Sequence, residues 1–294
     1  MKTISYYFAA LAAFLIWGFF SLALRPLAVY PSLDILFYRV FLSAAILFVI
    51  SFIVRRKVLK EVRNLYSAAP KGQKKGMILQ VLGGGLFLTA NWYFFIYVTN
   101  HVSLKAASFA YLVCPVLTTV LAWLILRERL GRWQWISVWL SLLSCLLLAF
   151  NSLADLLYSL VIAVSYALYL VSQRRNFGMD RLFVLTLQVI FSALLLLPFY
   201  PVSRGKVPQE AVFYELIVLI ALLFTILPLF LNLYALKGLP SSTVGILLYI
   251  NPLLGFIIAV SYYSEKLNIL QGVAYGMILL SVILFNMRSS APAG

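Results

Sequence analysis

The sequence predicts an all-α membrane protein with ten transmembrane helices, arranged as two inverted five-helix repeats. Hydrophobic residues make up 64% of the 294 residues and charged residues only 11%, whereas a soluble domain carries about 25% charged residues. A chain this apolar cannot cover itself with a surface that faces water, so it belongs in a lipid bilayer. Lipid offers no hydrogen bonds to an open strand edge, and we therefore expect every membrane span to be a helix.

Ten apolar stretches are candidate spans, since a helix needs about 20 apolar residues to cross a bilayer. They cover residues 4–24, 33–54, 76–98, 103–126, 133–150, 152–172, 182–200, 212–235, 240–263 and 268–287. The first stretch follows Lys2 in the manner of a signal peptide. It exceeds the about 7–15 apolar residues of such a peptide, so we interpret it as a retained span.

A repeat organises the chain, and repeats of this kind define the fold. The stretch Phe109–Leu130 returns 137 residues later as Ile246–Leu267, with Pro115 aligned on Pro252. The first two spans of each half align more loosely, at an offset of 149 residues. One half-molecule is therefore used twice.

The repeat divides the chain into a first half over residues 1–150 (spans 1–5) and a second half over residues 151–294 (spans 6–10). Five is an odd number, so the second half enters the membrane from the other side. Inverted repeats of this kind are typical of secondary transporters, in which a central site is reached alternately from each face.

Lysine and arginine residues predict the orientation, because cytoplasmic loops carry an excess of them. Seventeen basic residues fall at the end that holds both termini, and six fall at the other end or just inside it. We therefore expect both termini in the cytoplasm. The net charge of +15 is then a topology signal, and we predict no nucleic-acid partner.

Pro115 and Pro252 lie in the middle of their spans. Each proline frees the carbonyl four residues earlier, on Tyr111 and Leu248. A free carbonyl at this depth persists where protein or a wet cavity satisfies it. The two prolines are therefore candidates for a hinge or gate beside a cavity, and a simple packing kink is the alternative.

Glu128 and Glu265 align in the repeat and fall at span ends, beside Arg127, Arg129 and Lys266. Each glutamate also precedes the next helix, whose N-terminus favours a carboxylate. We predict structural charges that hold the turns between spans. An intramembrane proton relay is the alternative.

Arg39 lies about one and a half turns into span 2, with Asp34 as its only local acidic partner. It either extends toward the outer interface, as long basic side chains often do, or faces inward. In the second case it offers a cation to a carboxylate or phosphate on a substrate.

Aromatic and amide side chains deep in the spans are typical of a pocket for a planar or amphipathic organic solute. With Arg39, the predicted substrate-binding residues are Trp17, Asn91, Trp92, Tyr97, Tyr111, Tyr166, Gln188, Asn232, Tyr234, Tyr249 and Asn251. The alternative is structural, because Tyr and Trp also form interfacial belts and buried amides also join helices.

Enzymatic motifs are missing from the sequence. It contains no H-E-x-x-H zinc motif and no G-x-S-x-G elbow, and its only histidine, His101, lies in a short turn. We predict no catalytic site, no metal and no cofactor.

Several motifs together resemble the drug/metabolite transporter superfamily of the EamA type, and its RarD-like branch. They are Trp17-Gly18, Asn91-Trp92, Asn100-His101, Ala107-Ser108, and the two stretches from Pro115 to Glu128 and from Pro252 to Glu265. The resemblance covers the chain from Tyr6 to Met287.

The resemblance implies a bacterial inner-membrane permease that exports metabolites, amino acids or drugs. It implies a central cavity lined by spans 1, 3, 4, 6, 8 and 9, with spans 5 and 10 at the back or at a homodimer contact. It places eight residues near that cavity: Trp17, Asn91, Tyr97, Tyr111, Tyr166, Asn232, Tyr234 and Asn251.

We therefore expect a secondary transporter that works by alternating access, with a small organic solute and the lipid bilayer as its partners. A lipid flippase or a membrane scaffold is the alternative, and a flippase would use Arg39 to contact headgroups.

Overall fold

The computed structural model describes residues 2–27, 29–101, 104–149, 153–203, 205, 207–261 and 269–287. Within these ranges all regular secondary structure is helical, as the composition predicts. In the first half the helices are α1 (Lys2–Gly18), α2 (Phe20–Leu24), α3 (Ser32–Phe48), α4 (Arg56–Ala68), α5 (Lys71–His101), α6 (Leu104–Leu126) and α7 (Arg132–Ala149). In the second half they are α8 (Leu153–Arg174), α9 (Arg181–Leu196), α10 (Tyr200–Ser203), α11 (Ala211–Leu219), α12 (Leu227–Gly238), α13 (Ser241–Leu247), α14 (Ile250–Ser261) and α15 (Ile269–Asn286).

Six helical segments of the described chain are long and apolar enough to cross a membrane. They are Thr3–Leu24, Ser32–Val54, Lys71–Val98, Leu157–Arg174, Arg181–Val202 and Ala211–Gly238. Four shorter apolar helices coincide with the remaining predicted stretches: Ala110–Leu126, Arg132–Leu148, Ser241–Leu254 and Gly272–Asn286. The protein is therefore a multi-pass membrane protein.

Two spans contain π-helical segments, Val49–Val54 after α3 and Ile220–Ile226 between α11 and α12. In a π-helix each backbone hydrogen bond joins residues five positions apart, whereas in an α-helix it joins residues four positions apart. Such segments are frequent at functional sites. The second segment lies beside the site described below.

Proline and polar residues set several helix ends. The carboxylate of Asp180 accepts a hydrogen bond from the backbone N–H of Phe183 at 3.0 Å and so caps α9. Pro31 and Pro240 directly precede α3 and α13, where the missing proline N–H costs no helical hydrogen bond. Arg127 ends α6 in a left-handed conformation with φ of 55°.

Helix α4 lies in a segment where the sequence predicts only a basic link. It is amphipathic, and its apolar residues Val62 and Leu65 pack against a small cluster that includes Met179 and Val184. An amphipathic helix with a basic polar face is typical of the membrane interface. A search for apolar runs of about 20 residues misses such a helix, because only one of its faces is apolar.

The helix contacts recur when the two halves are exchanged. Helix α1 packs against α12, and its counterpart α8 packs against α5. Helix α6 packs against α8, and its counterpart α14 packs against α1. Equivalent spans of the two halves also pack against each other: α3 with α9, α6 with α13, and α7 with α15. Helix α5 packs against α9 as well.

Polar contacts join the halves at both ends of the bundle. The basic end is the one that carries α4, and there Arg55 makes two contacts with Asp180, at 2.9 and 3.2 Å. At the opposite end the carboxylate of Asp34 accepts the N–H of Gly205, with 3.1 Å to each oxygen. The hydroxyl of Tyr30 donates there to Glu210 at 2.8 Å, which raises the pKa of Tyr30.

Glu128 connects the first half to the second at the basic end. Its carboxylate accepts the backbone N–H groups of Ser241 at 2.7 Å and Ser242 at 3.1 Å, and the Ser242 hydroxyl at 2.5 Å. It therefore caps the N-terminus of α13 in the other half. The sequence analysis predicted instead an interaction with the N-terminus of the next helix, α7. Glu265, its equivalent in the repeat, lies outside the described residues.

We predict that Glu128→Gln lowers the free energy of unfolding by about 1 kcal/mol, because hydrogen bonds to a charged acceptor are stronger than bonds to a neutral one. Thermal unfolding of the purified protein in detergent measures the change. Glu61→Gln on the exposed face of α4 is the matched control. An equal loss in both variants would contradict the role of Glu128 as a cap.

Candidate functional site

Three residues join α1, α8 and α12 at the centre of the bundle. The fully buried Asn232 donates from Nδ2 to the hydroxyl of Tyr166 at 3.0 Å. The rings of Tyr166 and Trp17 meet edge to face with their centroids 6.0 Å apart. The other amide atom of Asn232, Oδ1, is buried and has no partner in the part of the chain that the structure describes.

Trp17 also satisfies a carbonyl of the second π-helical segment. Pro228 has no N–H, so it cannot donate to the carbonyl of Phe224 four residues earlier. The indole Nε1 of Trp17 donates to that carbonyl at 2.9 Å. The sequence analysis considered only Pro115 and Pro252 and missed the contact between Trp17 and Phe224. The same rule applied to Pro228 would have predicted a free carbonyl on Phe224.

A second group surrounds Arg39 in α3. The guanidinium carbon lies 5.1 Å from the ring centroid of Trp92 and 5.9 Å from that of Phe20. Such distances are typical of cation–π contacts. The ring of Phe20 lies 5.5 Å from that of Phe224, centroid to centroid, which connects this group to the first one. Tyr111 packs against the buried cluster that contains Tyr166.

We call the combined set the aromatic site: Trp17, Arg39, Trp92, Tyr111, Tyr166 and Asn232. Its helices come from both halves, since α1, α3, α5 and α6 belong to the first and α8 and α12 to the second. Trp17, Arg39, Trp92 and Tyr111 are only half-buried. The site thus presents partly exposed aromatic surface, one cation, and an amide oxygen that has no partner among the described residues.

The structure places four other predicted residues outside the aromatic site. Asn91 donates to the carbonyl of Ile162 at 3.0 Å and joins α5 to α8, in line with the structural alternative. Tyr97 is 44% exposed, and Tyr234 packs against Tyr6 near the start of α1. Asn251 is half-buried in the first turn of α14. For these residues a role in substrate binding stays a prediction.

Gln188 belongs to a separate buried cluster of amides between α5, α8 and α9. Its Nε2 donates to the backbone carbonyl of Gln80 at 3.1 Å and to Oε1 of Gln173 at 2.8 Å. Both amide atoms of the Gln80 side chain and Oε1 of Gln188 lack a partner within the described ranges. Gly84 makes room for the cluster, because a Cβ there would collide with Gln188. The sequence analysis missed Gln80 and Gln173.

The two prolines of the repeat have different effects on their helices. Pro115 is buried within the continuous helix α6. Pro252 follows a break at residues 248–249 that separates α13 from α14, and the carbonyl of Leu248 accepts the N–H of Asn251 at 3.0 Å. Tyr249 is fully buried at this break. A hinge at either proline stays a prediction, and the break favours Pro252.

A groove of about 310 Å³ lies at the end of α6, away from the aromatic site. Its lining residues are Trp123, Leu124, Arg127, Glu128 and Arg129. Glu128 is already bound to the N-terminus of α13, so we assign the groove to the bundle end and not to the solute site.

Comparison with known proteins identifies the class of protein. The model of the EamA-like transporter family matches the chain twice, over residues 4–150 and 153–287. The chain therefore belongs to the EamA-like transporter family, whose members are transporters and not enzymes. The resemblance stated from the sequence motifs is confirmed.

Individual relatives agree with this assignment. The chain is 29% identical to the "Uncharacterized transporter YojE" of Bacillus subtilis (strain 168), over 93% of this chain and 90% of the relative. It is 27% identical to "Protein RarD" of Escherichia coli (strain K12), over 95% of this chain and 92% of that protein. A solved crystal structure with 17% sequence identity shares the fold, with a TM-score of 0.74 over 96% of both chains.

We predict that the contribution of Trp17 to the free energy of unfolding depends on Pro228. Trp17→Phe removes the indole donor to the Phe224 carbonyl, and the loss of a typical hydrogen bond costs about 0.5–1.5 kcal/mol. In a Pro228→Ala background the restored N–H satisfies that carbonyl, so Trp17→Phe costs less.

Thermal unfolding of the two single variants and the double variant gives the coupling between them. Trp139→Phe is the control, because Trp139 is 65% exposed on α7. Strictly additive effects would show that the hydrogen bond between Trp17 and Phe224 does not replace the one that Pro228 removes.

Proposed function

We propose that this protein is a secondary transporter that exports a small organic solute across the bacterial inner membrane by alternating access. The observation that carries the proposal is the aromatic site, because it is built between helices of both halves. A site between two halves can open to either side when one half moves against the other.

The proposed architecture is ten transmembrane helices in two inverted repeats, residues 1–150 and 151–294. Three observations support it: the family model matches twice, helices occupy the described parts of all ten apolar stretches, and the helix contacts recur when the halves are exchanged. Lysine and arginine are in excess at the end of the bundle that holds both termini, and this excess favours termini in the cytoplasm. The bacterial relatives favour the inner membrane.

The chemistry of the site favours an organic solute with an aromatic or otherwise flat apolar body. Trp17, Trp92 and Tyr111 offer ring faces and edges that remain partly accessible. Pockets for organic ligands combine such surfaces with a few polar groups that fix the orientation. Here those groups are the Arg39 guanidinium and the amide of Asn232.

Movement between the halves requires contacts that change and contacts that persist. The break before Pro252 gives span 9 a place to bend, while α6 remains continuous through Pro115. Gly245 of α13 lies directly against Thr118 of α6, so the two proline-containing spans cross closely. Helices α7 and α15 pack against each other, and a homodimer through these helices stays a prediction.

We expect Tyr111→Ala to lower the rate of solute flux by about tenfold, because it removes an aromatic contact worth about 1.4 kcal/mol. Flux is measured in proteoliposomes across a panel of anionic, neutral and cationic solutes, with and without a pH gradient. Tyr158→Ala is the matched control, since Tyr158 is 43% exposed on α8 and is not among the predicted substrate-binding residues.

If no solute moves under any condition, the transport proposal is wrong. If labelled phospholipids cross instead, the protein is a flippase. Equal flux in Tyr111→Ala and the wild type would remove the aromatic site from the pathway.

A further inference from the structure

We infer that the solute carries an anionic group, a carboxylate or a phosphate, and that Arg39 binds it. This inference rests on the proposed function and adds the class of substrate to it. A cation inside a membrane protein needs a counter-charge or an oxygen acceptor.

Other arginines of the bundle have such acceptors. Arg55 pairs with Asp180 at 2.9 Å. Arg174 donates to the carbonyl of Leu236 at 3.0 Å, and Arg181 donates to the carbonyl of Gln173 at 2.7 Å. The last two carbonyls belong to helix C-terminal turns, where a cation is favoured by the helix dipole.

Within the described ranges Arg39 has neither a carboxylate partner nor a backbone carbonyl that accepts from it, and its Nε is buried without a hydrogen bond. Asp34, the only local acid, is buried and its carboxylate accepts the N–H of Gly205. Arg39 also lies seven residues beyond the start of α3, which is about 10 Å along the helix. The burial of Nε at this depth argues against a side chain that simply extends to the interface.

The surroundings of Arg39 leave its hydrogen-bond donors available. Trp92 and Phe20 lie within cation–π distance of the guanidinium, and this contact uses the charge without using an N–H group. The donors of a guanidinium lie in its plane, in a fork that matches a carboxylate or phosphate. The half-buried Arg39 side chain therefore offers an anion site with aromatic surface beside it.

The aromatic neighbours also define the rest of the solute. A planar apolar body can stack on Trp92 or Tyr111 while its anionic end meets Arg39. The anion then supplies the counter-charge that the described part of the protein does not. A neutral analogue of the same shape gains the stacking but leaves the guanidinium unpaired.

The experiment compares indole-3-acetate with indole-3-acetamide, which share a ring and differ in one charge. Binding to the purified protein is measured by isothermal titration calorimetry, and flux is measured in proteoliposomes. We expect the wild type to bind the acid at least about tenfold more tightly than the amide, the factor that corresponds to about 1.4 kcal/mol. Benzoate and benzamide form a second pair with a smaller ring.

Arg39→Gln should abolish the preference for the acid, and Arg39→Lys should retain part of it, because lysine keeps the charge but loses the planar fork. Arg175→Gln is the control, since it removes the same charge from an exposed position at the basic end. Thermal unfolding of Arg39→Gln establishes that the variant is folded. Loss of the preference in a folded Arg39→Gln, with the control unchanged, supports the inference.

Three results would overturn it: equal binding of acid and amide by the wild type, a preference that survives Arg39→Gln, or binding of neither acid. The two proposals also fail separately. If neutral or cationic solutes cross and anions do not, the transporter stands and the anion site does not. If binding depends on Arg39 but no solute crosses, the anion site stands and transport does not.

Discussion

The need to satisfy every polar group inside lipid is the constraint on which this bundle depends. Proline and helix ends release carbonyl groups at depths where water is absent, and each needs a donor. The indole of Trp17 donates a hydrogen bond to the carbonyl of Phe224, and Arg174 donates one to the carbonyl of Leu236. These donors come from other helices, so local defects in one helix become the contacts that hold helices together. Glu128 does the reverse and accepts the free N–H groups at the start of α13.

The same constraint separates structural polar residues from residues available to a solute. Asn91 donates to a backbone carbonyl on α8, so one of its donors is already used. Arg39 and Asn232 differ from Asn91, because each keeps at least one buried polar atom without a partner in the described chain and lies in the aromatic site. Gln80 and Gln188 also keep such atoms, but they lie in the separate amide cluster. An unsatisfied buried group is costly, and a protein retains it where something else completes it. In a transporter the cargo completes the site once in each cycle.

Composition and the repeat predict much of this fold, because membrane helices are determined by long apolar runs and by the lack of any other stable structure in lipid. Six aromatic, amide and basic residues of the predicted set do meet in one place. The sequence could not say which ones, since the rotation of a helix about its axis decides whether Tyr97 or Tyr111 faces inward. It also missed α4, whose apolar face is only a narrow stripe, and Gln80 and Gln173, whose roles depend on contacts between distant helices. The different effects of Pro115 and Pro252 depend on their neighbours and not on their alignment.

That difference between the prolines has a consequence for the cycle as a whole. Two identical halves would bend with equal ease, and an unloaded carrier would then divide its time evenly between its two orientations. Here one proline-containing span is interrupted and the other is continuous, so we expect the two spans to bend with unequal ease. In the alternating-access cycle proposed above, an unloaded carrier whose two spans bend unequally has a resting orientation and faces one compartment for most of its time. The side on which cargo is first captured is then set by the mechanics of the protein, before any gradient acts on it.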